Sequence, residues 1–285
     1  MRIYLVNAIS NDFFKRLLDS FLKGFMLQRL LYIGGSILIL PFLPLLLFLG
    51  KRVRQSIPDL PEACENLTSS IIGNSETIQL LTLGESTIAG VGVTDHTHGI
   101  TGQLAKTLHI SSGNTINWKV LACNGYTAEK VNQLLVPQIP EHALDFIVIG
   151  LGGNDTFKFN SPLTFKKNMI RLIDNIQLRQ PNAQIIIANM PPIGDFPAFP
   201  WLIQLVLGSL VKLHGAVIRD IPQRYNNVSY MDETIRIKDW ISRTDGNWTS
   251  ADLFSDGVHP SALTYAIWGE EIGRFVMDKN SSMNI

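Results

Sequence analysis

Four short stretches carry groups able to perform acyl transfer. In LLTLGESTIAGVG, residues 80 to 92, Ser86 places a hydroxyl in a glycine-rich turn directly after an apolar run. A serine hydroxyl becomes a useful nucleophile only with a base within hydrogen-bond reach. SDGVHPSA offers that base in His259, with Asp256 three residues earlier in the same loop. Such a loop can fold so that the carboxylate holds one ring nitrogen and leaves the other free to take the serine proton. The oxyanion that forms on attack needs donors, and the candidates are the backbone N–H groups of Ser86 and Gly125 (in CNGYT) and the side-chain amide of Asn154 (in GGND). Each stretch also has a purely structural reading. Strand exits favour glycine and small residues, GGND is turn composition, and a histidine ahead of a helix is often an ordinary loop residue.

These groups can meet only if the chain between them forms the right elements. Apolar runs of strand length occur at 77–83, 117–122, 144–151, 183–190 and 227–231, the third and fourth apolar nearly throughout, as suits strands covered on both faces. Helical patterns fall at 99–109, 127–136, 162–179, 201–220 and 262–277. This alternation predicts an α/β fold, a three-layer α/β/α sandwich around a parallel sheet of about five strands. In such sheets ligands bind outside the carboxyl ends of the strands. Ser86, Asn124–Gly125 and GGND each follow a strand, so three candidate loops share one edge.

Taken together, GEST around Ser86, Gly125 of CNGYT, GGND with Asn154, and DGVH with Asp256 and His259 resemble the four blocks of the SGNH hydrolases, the GDSL esterases and lipases. The likeness spans about residues 77 to 277. It implies a flavodoxin-like sheet and an ester hydrolase working through an acyl-enzyme. The implied catalytic residues are Ser86, Asp256 and His259, with Ser86, Gly125 and Asn154 as oxyanion donors and no metal or organic cofactor. Two positions depart from the family pattern: Glu85 stands where Asp is usual, and Thr87 replaces the leucine of the GDSL name. Neither removes a catalytic group, and Glu85 is expected to brace the turn. Two other readings share these residues. A membrane-bound acyltransferase of the same fold would use an alcohol in place of water, and a non-catalytic membrane-tethered binding module would keep the fold without turnover.

The resemblance implies a small-molecule or lipid ester as partner, and composition argues against nucleic acid. The 285 residues carry a formal net charge of +0, which leaves no excess basic field to hold nucleic acid. The cysteines Cys64 and Cys123 have no metal-ligand spacing, and His96 with His98 reads as a polar loop. From Leu30 to Gly50 no residue is charged, and the run is about the length of a bilayer core. The expected organisation is an amphipathic segment at 1–29, a transmembrane or membrane-anchoring helix at 30–50, a linker at 51–76 and a catalytic domain at 77–285. Phe14, Leu17, Leu18, Phe21, Leu22 and Phe25 recur at helical spacing in the first segment. The acid-free KRVR flank after the apolar run favours a cytoplasmic catalytic domain. FPAFPWLIQLVLGSLVKL, 196–213, reads as a core helix, with an acyl-binding wall or a second membrane contact as alternatives.

Overall fold

A computed structural model describes residues 26–242 and 246–283. The amphipathic pattern expected over 1–29 lies outside them, apart from 26–29. The chain divides into two compact units, Met1–Pro44 and Leu45–Ile285. In the first, the described residues are helical, belonging to a run, Met26–Ser56, that is long enough and, over an 18-residue window of mean hydropathy 2.3, apolar enough to cross a membrane by length and composition. That run tightens to a 3-10 turn at Leu40–Phe42, where Pro41 lacks the N–H an α-helical ladder needs. It then continues as α1 (Leu43–Ser56).

The helix therefore passes beyond the expected boundary at 50 and through Lys51, Arg52 and Arg54. Long straight side chains keep good helix propensity there, and Val53 buries against the core of the second unit. Within the expected linker, β1 (Thr68–Ile71) is also ordered and pairs antiparallel with β3 (Thr115–Ala122). Over the expected linker, 51–76, the chain forms a helix end, an extended stretch and an edge strand. A four-residue strand with one weakly alternating face gives little periodic signal, and its pairing partner lies far along the chain.

The sheet has six strands, not five, in the order β1-β3-β2-β4-β5-β6, with β2 (Thr77–Gly84), β4 (Phe146–Gly150), β5 (Gln184–Ile187) and β6 (Val228–Tyr230). All pairs except β1–β3 are parallel. Alternate residues feed two cores: Leu80, Phe146 and Val148 point to one face, and Leu81, Leu83, Ile147 and Ile149 to the other. The helices are α2 (Ile100–Ser112), α3 (Ala128–Leu134), α4 (Gly153–Phe157), α5 (Pro162–Arg179), α6 (Trp201–Ile218), α7 (Ile237–Ser242) and α8 (Ala262–Met283). Local chemistry sets several of their starts. Thr127 accepts the Lys130 N–H ahead of α3, and Ser161 accepts the Thr164 N–H ahead of α5, with Pro162 at its first position.

Strand order decides where a site can form. β2 lies between β3 and β4, so the chain leaves β2 to one side and β4 to the other, and a crevice opens at that switch point. Ser86 and GGND flank it.

Candidate active site

The turn after β2 is held tight by small residues and backbone bonds. Gly84 and Gly150 are register partners at the ends of β2 and β4. A Cβ on Gly84 would overlap the Gly150 carbonyl oxygen and stand 2.6 Å from Cγ1 of Ile88, so only glycine lets the turn fold over the strand ends. The N–H groups of Ile88 and Ala89 both donate to the Glu85 carbonyl, at 2.9 and 2.8 Å, and Val91 N–H donates to the Ser86 carbonyl at 3.1 Å. The half-buried Ser86 sits at the head of this coil.

Glu85 turns inward. Its buried carboxylate accepts the Gly153 N–H at 2.6 Å and the Asn154 N–H at 2.7 Å, capping the first turn of α4. Burial raises its pKa from 4.5 to about 7, against the lowering effect of those two backbone donors. Asp155 adds a second brace. Its Oδ2 accepts Ala128 N–H at 2.8 Å and its Oδ1 accepts the Asn160 amide at 2.7 Å, tying α3 to the GGND turn.

Asn154 is thereby held over the crevice, and its Nδ2 donates to the Tyr126 carbonyl at 3.1 Å. Gly125 lies one residue before Tyr126 at φ +78°, a left-handed conformation in which a side chain is strained. Among the described residues, the backbone N–H groups of Ser86 and Gly125 have no acceptor in the chain.

The loop before α8 folds on itself. Asp256, whose side chain is fully buried, accepts the N–H groups of Val258 and His259 on Oδ1 at 2.9 and 2.7 Å. Its Oδ2 accepts Nδ1–H of the His259 ring at 2.7 Å. An acceptor-only carboxylate at Nδ1 leaves Nε2 as the free, basic nitrogen of the neutral ring. Burial pushes the Asp256 pKa up, but the ring and the two backbone donors outweigh it and hold it below the usual carboxylate value. Gly257, at φ +84°, makes the reversal in this loop.

These loops surround one cleft of about 550 Å³, within the roughly 300–1,000 Å³ typical of small-ligand pockets. Ser86, His259, Asn154 and Asn124 are on its wall; Asp256 sits behind the ring, and Gly125 is next to Asn124. Ser86 and His259 face the same space without a direct hydrogen bond between them, and such contacts often tighten only once substrate is bound. Much of the remaining wall is apolar, including Phe157, Phe196, Phe199 and, from α6, Ile203, Val206 and Leu207. One face of the 196–213 stretch is therefore cleft wall, while Trp201 and Leu205 are exposed. A wider depression of about 910 Å³ on another face of α6 contains none of the candidate catalytic residues.

Some contributors carried no strong local signal. His214, the one histidine of α6, is buried between Thr156 Oγ1 (3.1 Å) and the Asn160 carbonyl (2.8 Å), where burial lowers its pKa to about 4. The α1 residues on the cleft wall lie outside the four blocks altogether. Among the described residues, no group of three or more His, Cys, Asp or Glu side chains is placed to hold a metal ion.

Comparison with known proteins agrees with this architecture. The GDSL-like lipase/acylhydrolase family model matches residues 82–267. A family 3 carbohydrate esterase of Clostridium thermocellum superposes with a TM-score of 0.54 at 16% identity, over 73% of this chain and 99% of that one. A carbohydrate esterase family 2 enzyme with a carbohydrate-binding domain, from Corynascus thermopiles (Myceliophthora fergusii), gives 0.52 at 15% identity, over 77% and 68%. The lipase Lip_vut3 from a goat rumen metagenome gives 0.50 at 17% identity, over 68% and 95%. No curated protein matches the chain. At these identities the structures speak for the fold, while the family model covers the turns bearing Ser86, Asn154 and His259, and the chain belongs to the GDSL-like lipase/acylhydrolase family.

Proposed function

We propose that this chain is a serine hydrolase that cleaves carboxylic esters through an acyl-enzyme, with Ser86 as nucleophile, His259 as general base and Asp256 as its orienting acid. The observation that carries this reading is one apolar cleft walled by both Ser86 and a histidine whose Nδ1 is bound to a buried carboxylate. Nε2 of His259 takes the Ser86 proton as Oγ attacks the ester carbonyl. The oxyanion is received by the Ser86 and Gly125 N–H groups and Nδ2 of Asn154. Collapse of the tetrahedral species expels the alcohol, which takes the proton from His259. Water, deprotonated by the same ring, then releases the acid and restores Ser86.

Ser86→Ala tests the assignment. The variant is expected to fold, to lose p-nitrophenyl ester turnover and to escape labelling by a fluorophosphonate probe. Turnover and labelling at the wild-type level would reject it.

The apolar portion of the helical run Met26–Ser56 that precedes the cleft-lining residues of α1 is proposed as a membrane anchor. Its length, mean hydropathy and exposed Leu30, Leu31, Ile37 and Leu38 support this role. Alkaline carbonate extraction of membranes should leave the chain in the pellet, and release into the supernatant would reject anchoring.

A further inference from the structure

The cleft has a wall that ester chemistry does not require. Leu46, Leu47, Gly50, Lys51 and Arg54, all on α1, line the same space as Ser86 and His259. Val53 of the same helix is buried in the core, which seats α1 on the domain. Gly50 is unusual in the middle of a helix, where glycine is less favourable than alanine. A Cβ built on it meets no atom within 4 Å, so its absence of a side chain leaves open room along the cleft.

Charge at the mouth is asymmetric. Lys51 and Arg54 are exposed, line the cleft, and form no ion pair with any described residue. Against them stands one exposed carboxylate, Asp59, since Glu85 is already engaged by Gly153 and Asn154. The rim also exposes large apolar side chains, with Leu47 66%, Phe159 56% and Phe157 37% accessible, a combination suited to a lipid surface and not to bulk water.

We infer that α1 is the specificity wall of the site: Leu46, Leu47 and Gly50 bound a channel for a long acyl chain, and Lys51 and Arg54 receive a phosphate on the alcohol portion. The substrate class is then a long-chain acyl ester of an anionic glycerophospholipid. This inference rests on the ester-hydrolase reading above. It adds the part of the chain that selects the substrate.

The test uses the full chain in mixed vesicles holding phosphatidylglycerol and phosphatidylcholine of identical acyl composition. Both headgroups then experience the same surface potential, and the ratio of the two deacylated products reports recognition at the site and not attraction to the surface. Wild type should favour phosphatidylglycerol by about tenfold, because both lipids carry the phosphate but only phosphatidylcholine adds a choline cation, which Lys51 and Arg54 repel at close range. Lys51→Glu with Arg54→Glu should bring the ratio to one or below, while Arg52→Glu, an exposed cation of the same helix that does not line the cleft, should leave it as in wild type. Gly50→Leu should lower the palmitate-to-butyrate ratio of kcat/KM on p-nitrophenyl esters by about tenfold or more, because a side chain would occupy the channel.

Equal release from the two lipids by wild type, or an equal loss of preference in Arg52→Glu and the double variant, would overturn the inference. So would butyrate turnover with a chain-length profile that Gly50→Leu does not alter. Absence of turnover on every ester and lipid, with no probe labelling, would instead bring down the catalytic reading on which it rests.

Discussion

Glu85 and Asn154, 69 positions apart, are joined by a hydrogen bond of 2.7 Å from the Asn154 backbone N–H to the Glu85 carboxylate. With its second bond to Gly153, this carboxylate fixes the start of α4 relative to the turn that bears Ser86. The proposed nucleophile and the proposed amide donor are therefore positioned by adjacent residues, 85 and 86, of one turn. The glutamate in place of the family's usual aspartate still reaches both N–H groups, so the departure in type preserves the brace.

Glu85→Gln should separate this brace from a simple packing role. An amide offers one acceptor oxygen, so one of the two buried N–H groups loses its partner, at a cost of about 1–3 kcal/mol. The pH dependence carries a defined sign. Because the folded pKa of Glu85, about 7, lies above its unfolded value of 4.5, the stability favouring its protonated form is fully present below pH 4.5 and is lost as pH rises through 7. The wild-type Tm minus the Glu85→Gln Tm should fall as pH rises from 4.5 through 7, since the amide lacks the ionisation that burial penalises. A difference that is constant or grows with pH would contradict the assignment.

Asp256→Asn should leave the fold intact and abolish turnover. The amide oxygen can keep the bonds from the Val258 and His259 N–H groups, while the NH2 group faces ring Nδ1 and favours the tautomer with its proton on Nε2. That nitrogen could then no longer take the Ser86 proton, and kcat is expected to fall on the order of 10⁴-fold with little change in Tm. Near-wild-type kcat in a folded Asp256→Asn would show that the carboxylate does not orient the base.

Gly84→Ala and Gly125→Ala should differ in how they fail. The first forces a methyl into the Gly150 carbonyl and Ile88 and should cost about 1–3 kcal/mol by denaturant unfolding. At Gly125 a Cβ meets nothing within 4 Å, and the penalty is the left-handed backbone alone, about 1–2 kcal/mol. Because the Gly125 N–H is a proposed oxyanion donor, its variant should lose more kcat than stability, and Gly84→Ala the reverse. The opposite ranking would mean that Gly125 serves the fold and Gly84 the chemistry.

Much of this was legible along the chain because it is written in local patterns. Apolar runs of strand length marked β2 through β6 within a few residues, and glycine at the strand exits marked the turns. The three-residue spacing of Asp256 and His259 produced the expected ring contact, because a tight loop brings such neighbours together with little help from elsewhere. Thr68–Ile71 was not legible as a strand, since its pairing with Thr115–Ala122 is created by the partner and not by its own period. The reach of Glu85 to Gly153 and Asn154 was equally hidden. It depends on β2 and β4 lying side by side, and strand order has no local signature.

The amino-acid sequence by itself determined the chemical inventory and the elements that carry it: a hydroxyl, an imidazole with its carboxylate, an amide and two glycines, each at the exit of a strand or the entry to a helix. Tertiary structure alone decided that Leu46, Gly50, Lys51 and Arg54 share a cleft with Ser86 and His259. Helical and strand periods come from interactions within a few residues, whereas the seating of α1 comes from burying Val53 in a core assembled from distant segments.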